Sequence, residues 1–180
     1  MVLLIGDFTA QIGDPSDKLA TRKALTKTQV AEHMKTYRAQ VSKILKPEFV
    51  FNGKWLAKLK LEDMLRLASH ITVQQLLHRD MFQKRVQERK EIYLHEFIYP
   101  LLQGYDSVQL NADIEIGGTD QTFNMLVGRD LMKAYKRKEK LVITTPLLEN
   151  PKTGKKLMSK SEGNYVALDD PTNEMYGKVM

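Results

Sequence analysis

Tyr99, Gln103 and Asp106 stand at i, i+4 and i+7 in the segment His95-Glu-Phe-Ile-Tyr-Pro-Leu-Leu-Gln-Gly-Tyr-Asp106. A helix puts all three on one face. A phenol, an amide and a carboxylate at the edge of the apolar face of Phe97, Ile98, Leu101 and Leu102 can grip a polar ligand at several points. The same spacing also suits a polar surface stripe. Pro100 inside the pattern removes a backbone donor and is expected to kink the helix.

A second constellation follows in Ile114-Glu-Ile-Gly-Gly-Thr-Asp-Gln-Thr-Phe-Asn124. An alternating strand runs through paired glycines into a helical pattern, with Phe123, Leu126, Val127 and Leu131 recurring three and four apart. Thr119 or Asp120 is the expected N-cap. Glycines without Cβ let a planar ligand or a phosphate approach the backbone where the helix N-terminus favours negative charge. Asp120 and Gln121 add a carboxylate and an amide beside that opening. Taken alone, the stretch fits a nucleotide crevice at the carboxyl end of a strand and a tight packing turn equally well.

Two polar loops complete the candidates. Gly6-Asp-Phe-Thr-Ala-Gln-Ile-Gly-Asp-Pro-Ser-Asp-Lys18 is punctuated by Gly-Asp steps and leaves the carboxyl end of an apolar run, Val2-Leu-Leu-Ile5. The stretch from Asn150 to Asn164 carries four lysines and many turn formers with few apolar anchors, so residues 151–164 are expected to form a mobile loop. The chain has no cysteine, which excludes disulfides, thiolate nucleophiles and cysteine-ligated metals. Its four histidines each stand alone in helical sequence, without metal-ligand spacing. A net charge of +6 suits a polyanionic partner or a phosphate-rich substrate. No apolar run is long enough to span a membrane, and a cytoplasmic location is expected.

The elements that must position these groups alternate between strand and helix. Val2–Ile5 reads as a buried parallel strand, and a helix is predicted from Thr26 on the face of Val30, Met34, Tyr37, Val41 and Ile44, stopped by Pro47. Glu48-Phe-Val-Phe51 is a short strand closed by Asn52-Gly53. Residues 59–69 and 73–91 are predicted helices, the second ending in a charge-dense solvated face. After the central helix, the basic run from Lys133 to Lys140 reads as an exposed helix end, and Leu141-Val-Ile-Thr-Thr145 as another strand. A last helix begins at Asp170-Pro171. This is an α/β pattern with a parallel sheet in one domain of 180 residues.

Four motifs in order resemble the bacterial tyrosyl-tRNA synthetases: Gly6 to Ser16, the Tyr99/Gln103/Asp106 triplet, Gly117-Gly-Thr-Asp-Gln121, and Met158-Ser-Lys-Ser161. The resemblance covers nearly the whole chain and implies a Rossmann-like class I synthetase catalytic core, with the helical insertion that in this family forms a homodimer interface. The implied activity is formation of tyrosyl-adenylate from tyrosine and ATP, then transfer to tRNA(Tyr). By the same resemblance Asp14, Tyr99 and Gln103 hold the substrate ammonium, Thr9 joins the tyrosine contacts, and Asp106 accepts a hydrogen bond from the phenolic hydroxyl. Gly118 and Asp120 sit against the ATP ribose, and Gln121 lies near the reacting carboxyl. Lys18 and Arg22 grip the departing pyrophosphate, while Met158, Ser159 and Lys160 belong to the mobile signature loop. Magnesium accompanies ATP, bound mainly by phosphates.

The sequence departs from that family at several points. Leu157 holds the place where the signature loop usually begins with lysine, Asp17 replaces a common glycine beside Lys18, and Glu115 stands where some members carry glutamine. The His-x-Gly-His motif belongs upstream of the first strand, and the tRNA-anticodon-binding region downstream of the last helix. The chain is therefore expected to be an incomplete catalytic domain, with near-background pyrophosphate exchange by itself. A rival reading is a catalytically inactive synthetase-like module that binds RNA or protein. A P-loop hydrolase fits poorly, because Gly154-Lys155 lacks the glycine five residues earlier and the following Ser or Thr.

Overall fold

Two parallel strand pairs carry the loops from which the candidate residues project. In the computed structural model, which describes residues 1–14, 26–149, 158–159 and 164–180, strand β1 (Val2–Ile5) pairs with β2 (Glu48–Phe51), and β3 (Ile114–Gly118) with β4 (Leu141–Thr145). The β-branched and aromatic residues of these strands suit a pleated surface, and each parallel pair is linked through helix. Among the described residues the two pairs form separate two-stranded sheets. β1 was expected to be a buried strand, yet Val2 is exposed; among the described residues only β2 flanks it.

Helix α1 (Lys27–Val41) opens with a capping box, Thr26 Oγ1 accepting from the Gln29 amide and the Gln29 side chain from the Thr26 amide at 2.9 Å. It ends at Val41, short of Ile44, which is exposed; of the expected face, Val30 is buried whereas Tyr37 is exposed. After β2 come the short helices α2 (Gly53–Leu56) and α3 (Leu61–Ala68). The helix expected over 73–91 is two helices, α4 (Val73–Leu77) and α5 (Asp80–Gln87). The break falls at Arg79, whose backbone is extended (φ −67°, ψ 131°) and whose guanidinium lies over the Phe123 and Phe82 rings at 4.6 and 5.6 Å. Cation–π contact with two rings outweighs the continuation of one helical turn.

Helix α6 (Leu94–Leu110) runs through Pro100 and ends at Asn111 in the left-handed region. Its start is fixed by Glu96, fully buried, which accepts from the Tyr93 amide at 2.8 Å and pairs with both terminal nitrogens of Arg85 at 2.5 and 2.9 Å. The two-point geometry satisfies both carboxylate oxygens and so offsets desolvation of the ions. α6 packs along α7 (Thr122–Lys136) around Leu101, Val108, Val127, Leu131 and Met132, with Leu67 of α3 closing the core. The helices cross closely at two glycines. A Cβ on Gly104 would meet the Gly128 nitrogen at 3.0 Å, and one on Gly128 would meet Lys140 Nζ at 2.5 Å.

Neither Thr119 nor Asp120 caps α7. A 3-10 turn (Thr119–Gln121) precedes the helix, and the Thr122 hydroxyl donates to the Thr119 carbonyl at 2.7 Å. The paired glycines lead straight into that tighter turn, which leaves no extended residue at the usual capping position. Beyond β4, β5 (Met158–Ser159) pairs antiparallel with β6 (Asn164–Tyr165), and α8 (Thr172–Val179) closes the chain. Asp169, between β6 and α8, accepts from Gln40 Nε2 at 2.6 Å and pairs with Lys43, tying this end to α1.

Candidate active site

The loops after β1, β2 and β3 meet one face of α6. After β1, a 3-10 turn (Thr9–Gln11) leads to Gly13, whose φ of 89° only glycine adopts freely, and on to Asp14. After β2, Asn52 is almost fully buried and joins three segments. Its side-chain oxygen accepts from the Phe8 amide at 3.0 Å, and its Nδ2 lies 3.2 Å from Thr9 Oγ1 and 3.1 Å from Asp106 Oδ2. Trp55, in α2, donates from Nε1 to the other Asp106 oxygen at 2.8 Å.

Asp106 is therefore a buried carboxylate with one donor on each oxygen. A carboxylate can accept about four hydrogen bonds, so lone pairs remain for a ligand hydroxyl. Burial pushes its carboxyl up from the ordinary 3.8 to about 7, against the pull of Asn52 and Trp55. A group balanced at that point accepts a hydrogen bond when ionised and loses much of that capacity when protonated.

One turn earlier on the helix, Gln103 enters a chain of amides. Asn124 Nδ2, fully buried in α7, donates to Gln103 Oε1 at 2.8 Å and to Gln121 Oε1 at 3.2 Å. Gln121 Nε2 in turn donates to Asp14 at 3.0 Å and to Asp120 at 3.1 Å. Two carboxylates, Asp14 and Asp120, are thus held within reach of one amide, beside the Gly117-Gly118 approach. A Cβ on Gly118 would sit 2.5 Å from the Asp120 carboxylate and 2.8 Å from Leu147, so the turn tolerates only glycine without rearrangement. Tyr99 is buried on the same helix.

The structure accordingly joins Asp14, Gln103, Asp120 and Gln121 in one hydrogen-bonded network, and places Thr9 and Asp106 on Asn52. Gly118 and Tyr99 lie in the elements that carry these groups. Met158 and Ser159 fall in β5. Lys18, Arg22 and Lys160 lie outside the described residues, as do Asp17, Leu157 and most of the expected loop over 151–164.

Asn52, Trp55 and Asn124 went unrecognised as site-building residues in the sequence. Asn52-Gly53 carried only a turn signal, and Trp55 stands three residues past it as the chain's single tryptophan. Asn124 interrupts an apolar helix face three residues after Gln121, the one local sign that an amide is used there.

The family model described as tRNA synthetases class I (W and Y) matches residues 1–180. The tyrosine–tRNA ligase of Acidithiobacillus ferrooxidans is 51% identical over 183 aligned positions, covering all of this chain and 45% of that protein. The tyrosine–tRNA ligase of Haemophilus ducreyi is 53% identical, with 100% and 46% coverage. The chain spans less than half the length of these relatives. A C-terminally truncated mitochondrial tyrosyl-tRNA synthetase from Aspergillus nidulans superposes with a TM-score of 0.71 at 22% identity, over 99% of this chain and 61% of that one. A tyrosyl-tRNA synthetase from Aeropyrum pernix gives the same score at 22% identity, over 98% and 52%.

Proposed function

The chain belongs to the class I tRNA synthetases for tryptophan and tyrosine, and from that membership we propose that its site binds L-tyrosine and ATP and joins them as tyrosyl-adenylate. The observation that carries the choice of amino acid is Asp106: a buried carboxylate, fixed by Asn52 and Trp55, with acceptor capacity left for a phenolic hydroxyl. Asp14, Tyr99 and Gln103 hold the ammonium, with Thr9 beside them. Gln121 orients the reacting carboxyl, and Gly118 and Asp120 receive the ribose. Lys18, Arg22 and the Met158-Ser159-Lys160 segment act on the phosphates.

The residue types fit that reaction. The tyrosine carboxylate attacks the α-phosphorus and pyrophosphate departs, so negative charge grows on the phosphate oxygens. Fixed cations and amide donors stabilise this charge, and no side-chain nucleophile is needed. Magnesium would be carried mainly on the nucleotide phosphates rather than in a protein cage. When bound, magnesium neutralises phosphate charge. The full-length protein transfers the tyrosyl group to tRNA(Tyr) and works as a cytoplasmic homodimer in this reading. Among the described residues, no helix is long and apolar enough to cross a membrane.

ATP–pyrophosphate exchange by the full-length protein tests the proposal. Exchange that depends on tyrosine, and is far weaker with phenylalanine or tryptophan, is expected. Exchange driven equally by tryptophan, or by no amino acid, would remove the basis for assigning tyrosine.

A further inference from the structure

Lys140 stands at the end of a basic run whose other lysines, Lys133, Lys136 and Lys138, are wholly or partly solvated, yet its side chain is fully buried. Its ammonium fills the slot left by Gly128. It donates to Ser107 Oγ at 2.7 Å and contacts Glu115 Oε2, while Ser107 Oγ donates to the same Glu115 oxygen at 2.9 Å. Ser107 adjoins Asp106 on α6, and Glu115 lies on β3 two residues before the paired glycines. Nothing in the adenylate chemistry uses this cation directly.

We infer that Lys140 is a positioning residue for tyrosine recognition: held by Ser107 and Glu115 beside Asp106 on α6, its buried charge favours the ionised form of Asp106, which accepts the substrate hydroxyl. The inference rests on the tyrosine-reading role proposed for Asp106. The fields on that carboxyl come from four elements. Lys140, before β4, favours the ionised form, and Asp7, after β1, opposes it. Asn52 and Trp55 donate to it from the β2 side. Glu115, on β3, partly neutralises Lys140. Burial draws the Lys140 ammonium down to about 8 and Asp106 draws it back up, so the two groups support each other's charged forms.

The sign of the pH effect follows. Asp106 is ionised above about 7. Removing the Lys140 charge raises that midpoint, and removing the Glu115 charge lowers it. The readout is the ratio of tyrosine to phenylalanine kcat/KM in pyrophosphate exchange by the full-length protein, measured against pH. The ratio cancels every titration that does not concern the hydroxyl. In the unaltered protein it should rise with pH through about 7. Lys140→Gln should move the rise to higher pH, and Glu115→Gln should move it to lower pH. Glu115 is partly exposed, so that variant tests the inference even if Lys140→Gln misfolds. A clasp that serves stability alone would lower activity in both variants without moving the midpoint, and that result overturns the role of Lys140. A ratio independent of pH in the unaltered protein overturns the role of Asp106 as well.

Discussion

Asp106→Asn in the full-length protein is expected to lower tyrosine kcat/KM by about ten- to a hundredfold and leave phenylalanine nearly unchanged, collapsing the preference between them. The magnitude is that of one hydrogen bond to a charged acceptor, roughly 1.5–3 kcal/mol. Asparagine keeps the shape of the side chain but offers one acceptor oxygen to two buried donors, Asn52 Nδ2 and Trp55 Nε1. Asp106→Ala leaves Trp55 Nε1 without its acceptor and Asn52 Nδ2 with Thr9 Oγ1 alone, and should also lower stability, by about 1–3 kcal/mol for the orphaned indole donor. The asparagine variant is therefore the cleaner reading of recognition.

Stability carries a second signature of the same group. The folded protein binds the Asp106 proton more tightly than the unfolded chain, since burial raises the carboxyl from 3.8 to about 7. Between those values the native state holds the extra proton, so this group makes stability fall as pH rises. Thermal unfolding from pH 4 to 7 should show that contribution in the unaltered protein, and its loss in Asp106→Asn. An identical pH slope in the two proteins would mean that folding does not raise the proton affinity of the Asp106 carboxyl.

Lys160→Ala is expected to slow tyrosyl-adenylate formation by about a hundredfold or more while changing tyrosine affinity less than about twofold. A cation that meets charge developing only in the transition state contributes to rate rather than to ground-state binding. The strands β5 and β6 that flank Lys160 in sequence are followed by Asp169, which holds the chain to Gln40 on α1 and to Lys43 just beyond that helix. Single-turnover adenylate formation and equilibrium dialysis of tyrosine separate the two quantities. Equal losses in both would assign Lys160 a structural part.

Local pattern in the sequence reveals those features whose cause is local. The bounds of β2 and β4, the start of α1 at Thr26 and the shared helical face of Tyr99, Gln103 and Asp106 all follow from spacing and capping within a few residues. The four ordered motifs supplied the family. What spacing cannot reveal is which polar groups the fold carries inside. Asn52 meets Asp106 across 54 positions and Trp55 meets it across 51, so neither contact leaves a periodic trace. Lys140 looks like its solvated neighbours until the chain turns into β4 and the glycine crossing of α6 and α7 opens a slot for it. The split between α4 and α5 has the same origin, since Arg79 leaves helical geometry for rings that include Phe123, 44 residues onward.

The central claim is that Asp106 reads the tyrosine hydroxyl while the Asp14–Gln121–Asn124–Gln103 network receives the other end of the amino acid. A crystal structure of the full-length protein with bound L-tyrosine tests it most directly. The phenolic oxygen should lie about 2.5–3.0 Å from an Asp106 carboxylate oxygen, with the ammonium against Asp14 and Gln103. A tyrosine bound in the reverse direction, with its ammonium on Asp106, or bound away from this helix face, would contradict the account.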